Sequence, residues 1–238
     1  MGLIAMAIGA VGSLVSGVAS FVGSAITTIG STVCGAAKGF IGAVAKIEVE
    51  TVGAIKEAVG FVGEMIHTIA EIVLDMKLED TPEELGAKAL QAEKSIDDFN
   101  GEAEAYIRYL KDEIELDRAR FEKMTSEEKL GCEAIGITLE TKAVEQKLGG
   151  VEIPEESLAE LGKIHMAGID IDAVKLLDII KMLKESGITN MNDVVDYLEG
   201  KGDSDRIRTG EALKSAMGEG ALERIYQIRD AVIRNEEN

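Results

Sequence analysis

Tryptophan is absent from this chain, Phe and Tyr are few, and only two prolines, Pro82 and Pro154, occur in its 238 residues. With so few rings, any core must be built from Ile, Leu, Val, Met and Ala. With so few prolines, helices can run long. Cys34 and Cys132 lie far apart with no CxxC pair, which leaves a disulfide framework or a zinc site without support. Basic residues are scarce as well. Twenty-five Lys and Arg face 44 Asp and Glu, for a formal net charge of −19, and nucleic acid is excluded as an expected partner because its affinity comes largely from Lys and Arg contacts. No Lys or Arg precedes the N-terminal apolar run, so a standard cleaved signal peptide is not expected. Met6 stands where a myristoylation signal wants Ser or Thr. The expected location is cytoplasmic, or exported by another route, with conditional membrane association. Strand-like alternation is missing too, so the composition predicts an all-α chain.

What is present is concentrated in residues 1–76. No charged side chain occurs before Lys38, and the apolar residues are ordered. Val11, Val22, Val33, Val44, Ile55 and Ile66 recur every 11 positions; Val18, Ile29, Phe40, Val62 and Val73 keep the same interval, broken only at Thr51. An 11-residue repeat over three helical turns is about 3.67 residues per turn, so one apolar stripe stays on one face of a nearly straight helix. Its expected lipid-facing positions are Val11, Val15, Val18, Val22, Ile26, Ile29, Val33, Phe40 and Val44. The opposite face carries small residues four apart: Gly9, Ser13 and Gly17; Ser20, Ser24 and Thr28; Ser31, Gly35 and Gly39. Small residues at this spacing let a second helix approach closely, as in membrane helix pairs. Glycines cost such a helix up to about 1 kcal/mol each in water, so it needs outside stabilisation. The repeat continues past Lys38 into Glu48, Glu50, Lys56 and Glu57, which fits an interfacial or conditionally inserting helix better than a permanent anchor. In pattern, though not in residues, it resembles the lipid-surface helices of the synuclein and perilipin kind.

Residues 77–124 change character. Thr81, Pro82 and Glu84 form a capping-box start. Leu85, Ala89, Ala92, Ile96, Phe99, Ala103, Tyr106 and Leu110 then follow a heptad seam, and the expectation is one long charged helix returning antiparallel along the first. Asn100-Gly101 is the place where it would kink or break. Residues 125–238 read as a compact bundle of short helices: a second capping box at Thr125 and Glu128, a stop at Gly149-Gly150, starts at Pro154, Asp170 or Asp172, Thr189 to Asn192, and Asp203 or Ser204, and a last helix from Leu222 to Ile233.

No catalytic constellation stands out. His67 and His165 are far apart with no HExxH, and a structural role is expected for each. Asp203-Ser204-Asp205 starts like a calcium loop, but Arg208 stands where Gly is required. No P-loop is present, so no cofactor, metal or enzymatic activity is expected. Two functions remain. The first is a membrane-active protein, pore-forming or membrane-perturbing in the manner of α-helical effectors and toxins, whose expected partners are a lipid bilayer, copies of itself in a homo-oligomer, or both. The second is a structural subunit of a helical assembly such as a tube, a particle shell or a phage-tail interior.

Overall fold

A computed structural model describes residues 2–47, 51–166, 168, 171–198 and 206–217. These are helical with short connections, and among them the only β pairing is an isolated bridge between Glu152 and Asn190. The protein is all-α.

The 11-residue repeat is not one helix. It forms α1 (Gly2–Ser24), α2 (Ile26–Ile29), α3 (Ser31–Lys46) and α4 (Val52–Leu74). The break at Gly30 has a backbone cause. Its φ of 88° and ψ of 151° lie in a region that is essentially glycine-only, and a Cβ there would stand 3.0 Å from Ile96 Cγ2. The chain turns, and α3 packs back on α1: the Lys38 ammonium lies over Gly23, and the Cys34 thiol donates to the Val22 carbonyl at 3.2 Å. Helix α4 starts afresh because the Thr51 hydroxyl accepts from the Ala54 N–H, and it ends at Asp75 in the left-handed conformation.

The expected heptad helix is likewise divided into α5 (Pro82–Gln91), a 3-10 turn (Ile96–Phe99), α6 (Ala103–Glu113) and α7 (Arg118–Glu122). Ala92 goes extended, Ser95 caps the 3-10 turn, and Asn100 and Gly101 both adopt positive φ, so the antiparallel long-helix hairpin does not form. The inward face was nevertheless well marked. Leu85, Ala89, Ala92, Ile96, Ala103, Tyr106 and Leu110 are all buried, and Phe99 packs half-buried against the same core.

The organising element is α8 (Ser126–Leu148). Both halves of its capping box are made, with Thr125 Oγ1 accepting from the Glu128 N–H and the Thr125 N–H donating to the Glu128 carboxylate. From Leu130 to Val144 it is buried almost all round, enclosed by α1, α3, α4, α5 and α6. Helices α9 (Glu155–Met166), α10 (Ala173–Glu185), α11 (Asn192–Leu198) and α12 (Arg206–Met217) complete the described chain. Asp172 caps α10, and Gly187 follows its end with positive φ. The alternative cap Asp170, the Asp203 and Ser204 positions and the expected helix from Leu222 to Ile233 lie outside the described residues. One apolar cluster runs from Leu14 to Leu213, so neither the boundary at 76/77 nor that at 124/125 separates two cores.

Candidate functional site

The apolar stripe of α1–α3 faces inward. Val18, Val22, Ile29, Val33, Phe40 and Val44 are fully buried, Val11 and Val15 are half-buried against the same core, and Ile26 alone is exposed. In this conformation the surface expected to meet lipid is occupied by the protein itself, chiefly by α8 and α9. The small-residue face points outward. Ser13, Ser20, Ser24, Ser31, Gly35 and Gly39 are exposed, Gly17 and Thr28 half-buried, and Gly9 lies within α1.

Two groove glycines are crossed by acidic side chains. A Cβ on Gly17 would lie 3.7 Å from Glu127 Cβ, and one on Gly39 3.2 Å from Glu155 Cγ. Glu127 and Glu155 are first-turn acids of α8 and α9, where carboxylates favour the helix dipole. Each thus serves its own helix start and lies over a glycine of α1 or α3. Gly12, Gly35 and Gly42 have nothing within 4 Å of a Cβ position.

A second feature lies between α4 and α8, which run in the same direction: Gly63 is level with Glu133 and Ile137, and His67 with Glu140. Glu140 is wholly buried. One of its oxygens meets His67 Nδ1 at 2.8 Å, while the other has no hydrogen-bond partner among the described residues. The hydrogen bond to Glu140 raises the His67 pKa above its ordinary value against the opposing effect of burial. Burial pushes the Glu140 carboxyl up, and His67 only partly offsets this. Glu133, beside Gly60 and Gly63, is pushed up to about 7 by burial first and then by Glu83 and Glu64. His67 was expected to be structural, but its partner 73 positions away was not foreseen. The available signal was two acids, Glu133 and Glu140, spaced a heptad apart around the uncharged run Ala134–Leu139. His165 stacks on Phe61 with centroids 3.8 Å apart.

A cavity of about 130 Å³ lies among α9, α10, α11 and α12, with Ile66 of α4 in its wall. Ser157 and Glu160 are the polar members of an otherwise Ile, Leu, Val and Met lining.

Among the described residues no helix is long and apolar enough to cross a membrane, and no group of His, Cys, Asp and Glu could hold a metal ion. Comparison with protein-family models, curated proteins and solved structures finds no match to this chain.

Proposed function

We propose that the protein is membrane-active and that the fold described above is its stored form. On meeting lipid, α1–α3 leave the core, place Val11, Val15, Val18, Val22, Ile26, Ile29, Val33, Phe40 and Val44 in the acyl region, and associate through Gly9, Ser13, Gly17, Ser20, Ser24, Thr28, Ser31, Gly35 and Gly39. The oligomer perturbs or perforates the bilayer. The observation that carries this reading is one of sidedness. Up to Lys38 no charge opposes transfer to hydrocarbon, the stripe is held inside, and the face suited to close helix packing is already outside.

Magnitudes support lipid as the trigger. Exposing a buried Val, Ile or Phe to water costs about 1.5–3 kcal/mol, so the six buried stripe residues resist release by on the order of 10 kcal/mol. Release into hydrocarbon removes most of that transfer cost, because lipid tails are as apolar as the core.

The test is a reversible lock. The predicted Cβ separation of 3.7 Å for Gly17→Cys with Glu127→Cys suits a disulfide between α1 and α8. Reduced double variant should release dye from phosphatidylcholine/phosphatidylglycerol vesicles, and oxidised protein should not. Equal release in both states, or no release and no vesicle binding by the reduced form, rules the proposal out.

The second reading, a structural subunit that assembles without lipid, is favoured by the open surface at Gly12, Gly35 and Gly42. Its signature is defined large particles in plain buffer, read by sizing.

A further inference from the structure

We infer that the cavity among α9, α10, α11 and α12 is a binding site for one small neutral apolar molecule, a short alkyl chain or a single ring, bearing at most a hydroxyl group. The inference does not rest on the membrane reading.

Size comes first. The space of about 130 Å³ is several times the room one water needs, and it is partly open to the surface, so a guest can enter. Apolar cavities of about this volume accept benzene-sized guests. A buried water needs two to four polar partners, and among the lining side chains only Ser157 and Glu160 offer any, so the rest of the wall favours an apolar guest.

The walls are also held from outside, which resists collapse. The Arg208 guanidinium donates to the Ser186 and Gly187 carbonyls beyond the end of α10. The Ile153 N–H donates to the Glu145 carboxylate at 2.6 Å, and the Glu152 and Asn190 segments pair through backbone hydrogen bonds. All three ties lie at the ends of the helices that frame the cavity, so the space keeps its shape without a side chain filling it.

The polar wall groups select the guest's head. The Ser157 hydroxyl already donates to Asn192 Oδ1 at 2.8 Å, which leaves its oxygen as an acceptor. The Glu160 side chain is acidic, buried, and 3.6 Å from the Lys163 ammonium. A guest that donates a hydrogen bond is matched. A carboxylate guest would have to shed its water among walls that are mostly apolar.

The experiment is a methyl NMR titration of the full-length protein with 1-hexanol and, separately, hexanoate. Saturable shifts confined to wall methyls such as those of Leu158, Ile180 and Leu183 are expected with 1-hexanol, with hexanoate at least about tenfold weaker. Val195→Phe, at a half-buried wall position, should abolish the response, and Met191→Ala should extend it to longer alcohols. Shifts that never saturate or scatter over the whole core overturn the proposal. So does an equal response to hexanoate, or a Val195→Phe response equal to that of the wild type. The wild-type titration decides the matter even if a variant fails to fold.

Discussion

Gly86 and Gly136 make the crossing of α5 and α8 possible from both sides: a Cβ on Gly86 would stand 1.9 Å from the Cys132 carbonyl oxygen, and one on Gly136 1.9 Å from that of Pro82. Backbone atoms cannot give way as a flexible side chain can. Gly136→Ala is therefore expected to destabilise by roughly 1–3 kcal/mol or more through overpacking. Gly35→Ala, with open space around it inside α3, should stabilise by about 0.5–1 kcal/mol by removing backbone freedom from the unfolded chain. Urea midpoints that move alike in the two variants contradict this account of the crossing.

Glu133 makes stability depend on pH. Its carboxyl titrates near 7 in the folded protein against an ordinary 4.5, because of burial and then Glu83 and Glu64; Lys129, the nearby cation, is 3.6 Å from Glu83. The folded state thus holds the proton more tightly than the unfolded chain. The resulting stability is fully present below about pH 4.5 and is lost as pH rises through 7. Glu133→Gln should exceed the wild type by about 1–3 kcal/mol at pH 8 and match it near pH 4.5. Denaturation curves at the two pH values that differ by the same amount would refute the assignment.

The His67–Glu140 pair is expected to be costly to break and cheap to replace. His67→Ala leaves a buried carboxylate alone and should cost about 3–5 kcal/mol. Replacing both residues with Leu should come within about 1 kcal/mol of the wild type. A double-mutant cycle with no coupling removes the pair from the account of stability. The raised His67 pKa adds stability that is present below 6.5 and lost as pH rises through its folded value, the same direction as Glu133. Mild acid therefore tightens this seam.

Gly30→Ala tests the turn between α1 and α3. A Cβ is strained at φ 88° and meets Ile96 Cγ2 at 3.0 Å, so the fold described here should lose about 1–3 kcal/mol. Alanine also favours the uninterrupted helix that the repeat encodes. Vesicle co-sedimentation should then increase at lower lipid concentration. Unchanged lipid dependence in a demonstrably destabilised variant separates the turn from any membrane role.

The local chemistry of this fold was legible where a side chain acts on its own backbone. Thr81 with Glu84, Thr125 with Glu128, and Asp172 all cap the helices their positions announced. Gly30 was not legible as a turn, because glycine is compatible with the repeat and only packing against Ile96 and Asp97 fixes its φ. The heptad seam gave the buried face of residues 85–110 but not its breaks, since an extended Ala92 between two inward turns leaves the same residues pointing inward. The apolar stripe was plain, while its partner was not: small-residue spacing marks a face that something can approach without naming what covers the other side. The α4–α8 acid seam and the cavity join residues far apart in the chain, and no local pattern records such meetings.

Glu127 follows Gly17 by 110 residues, and the Gly131 backbone that receives Phe21 and Val22 comes later still. At synthesis rates of about 5–20 residues per second, the stripe emerges roughly 5–20 s before the helix that encloses it. For that interval the nascent chain presents the face that the finished protein hides. Liposomes supplied during cell-free translation should therefore capture protein sooner than liposomes supplied after it, because the finished chain must first release the stripe from its core.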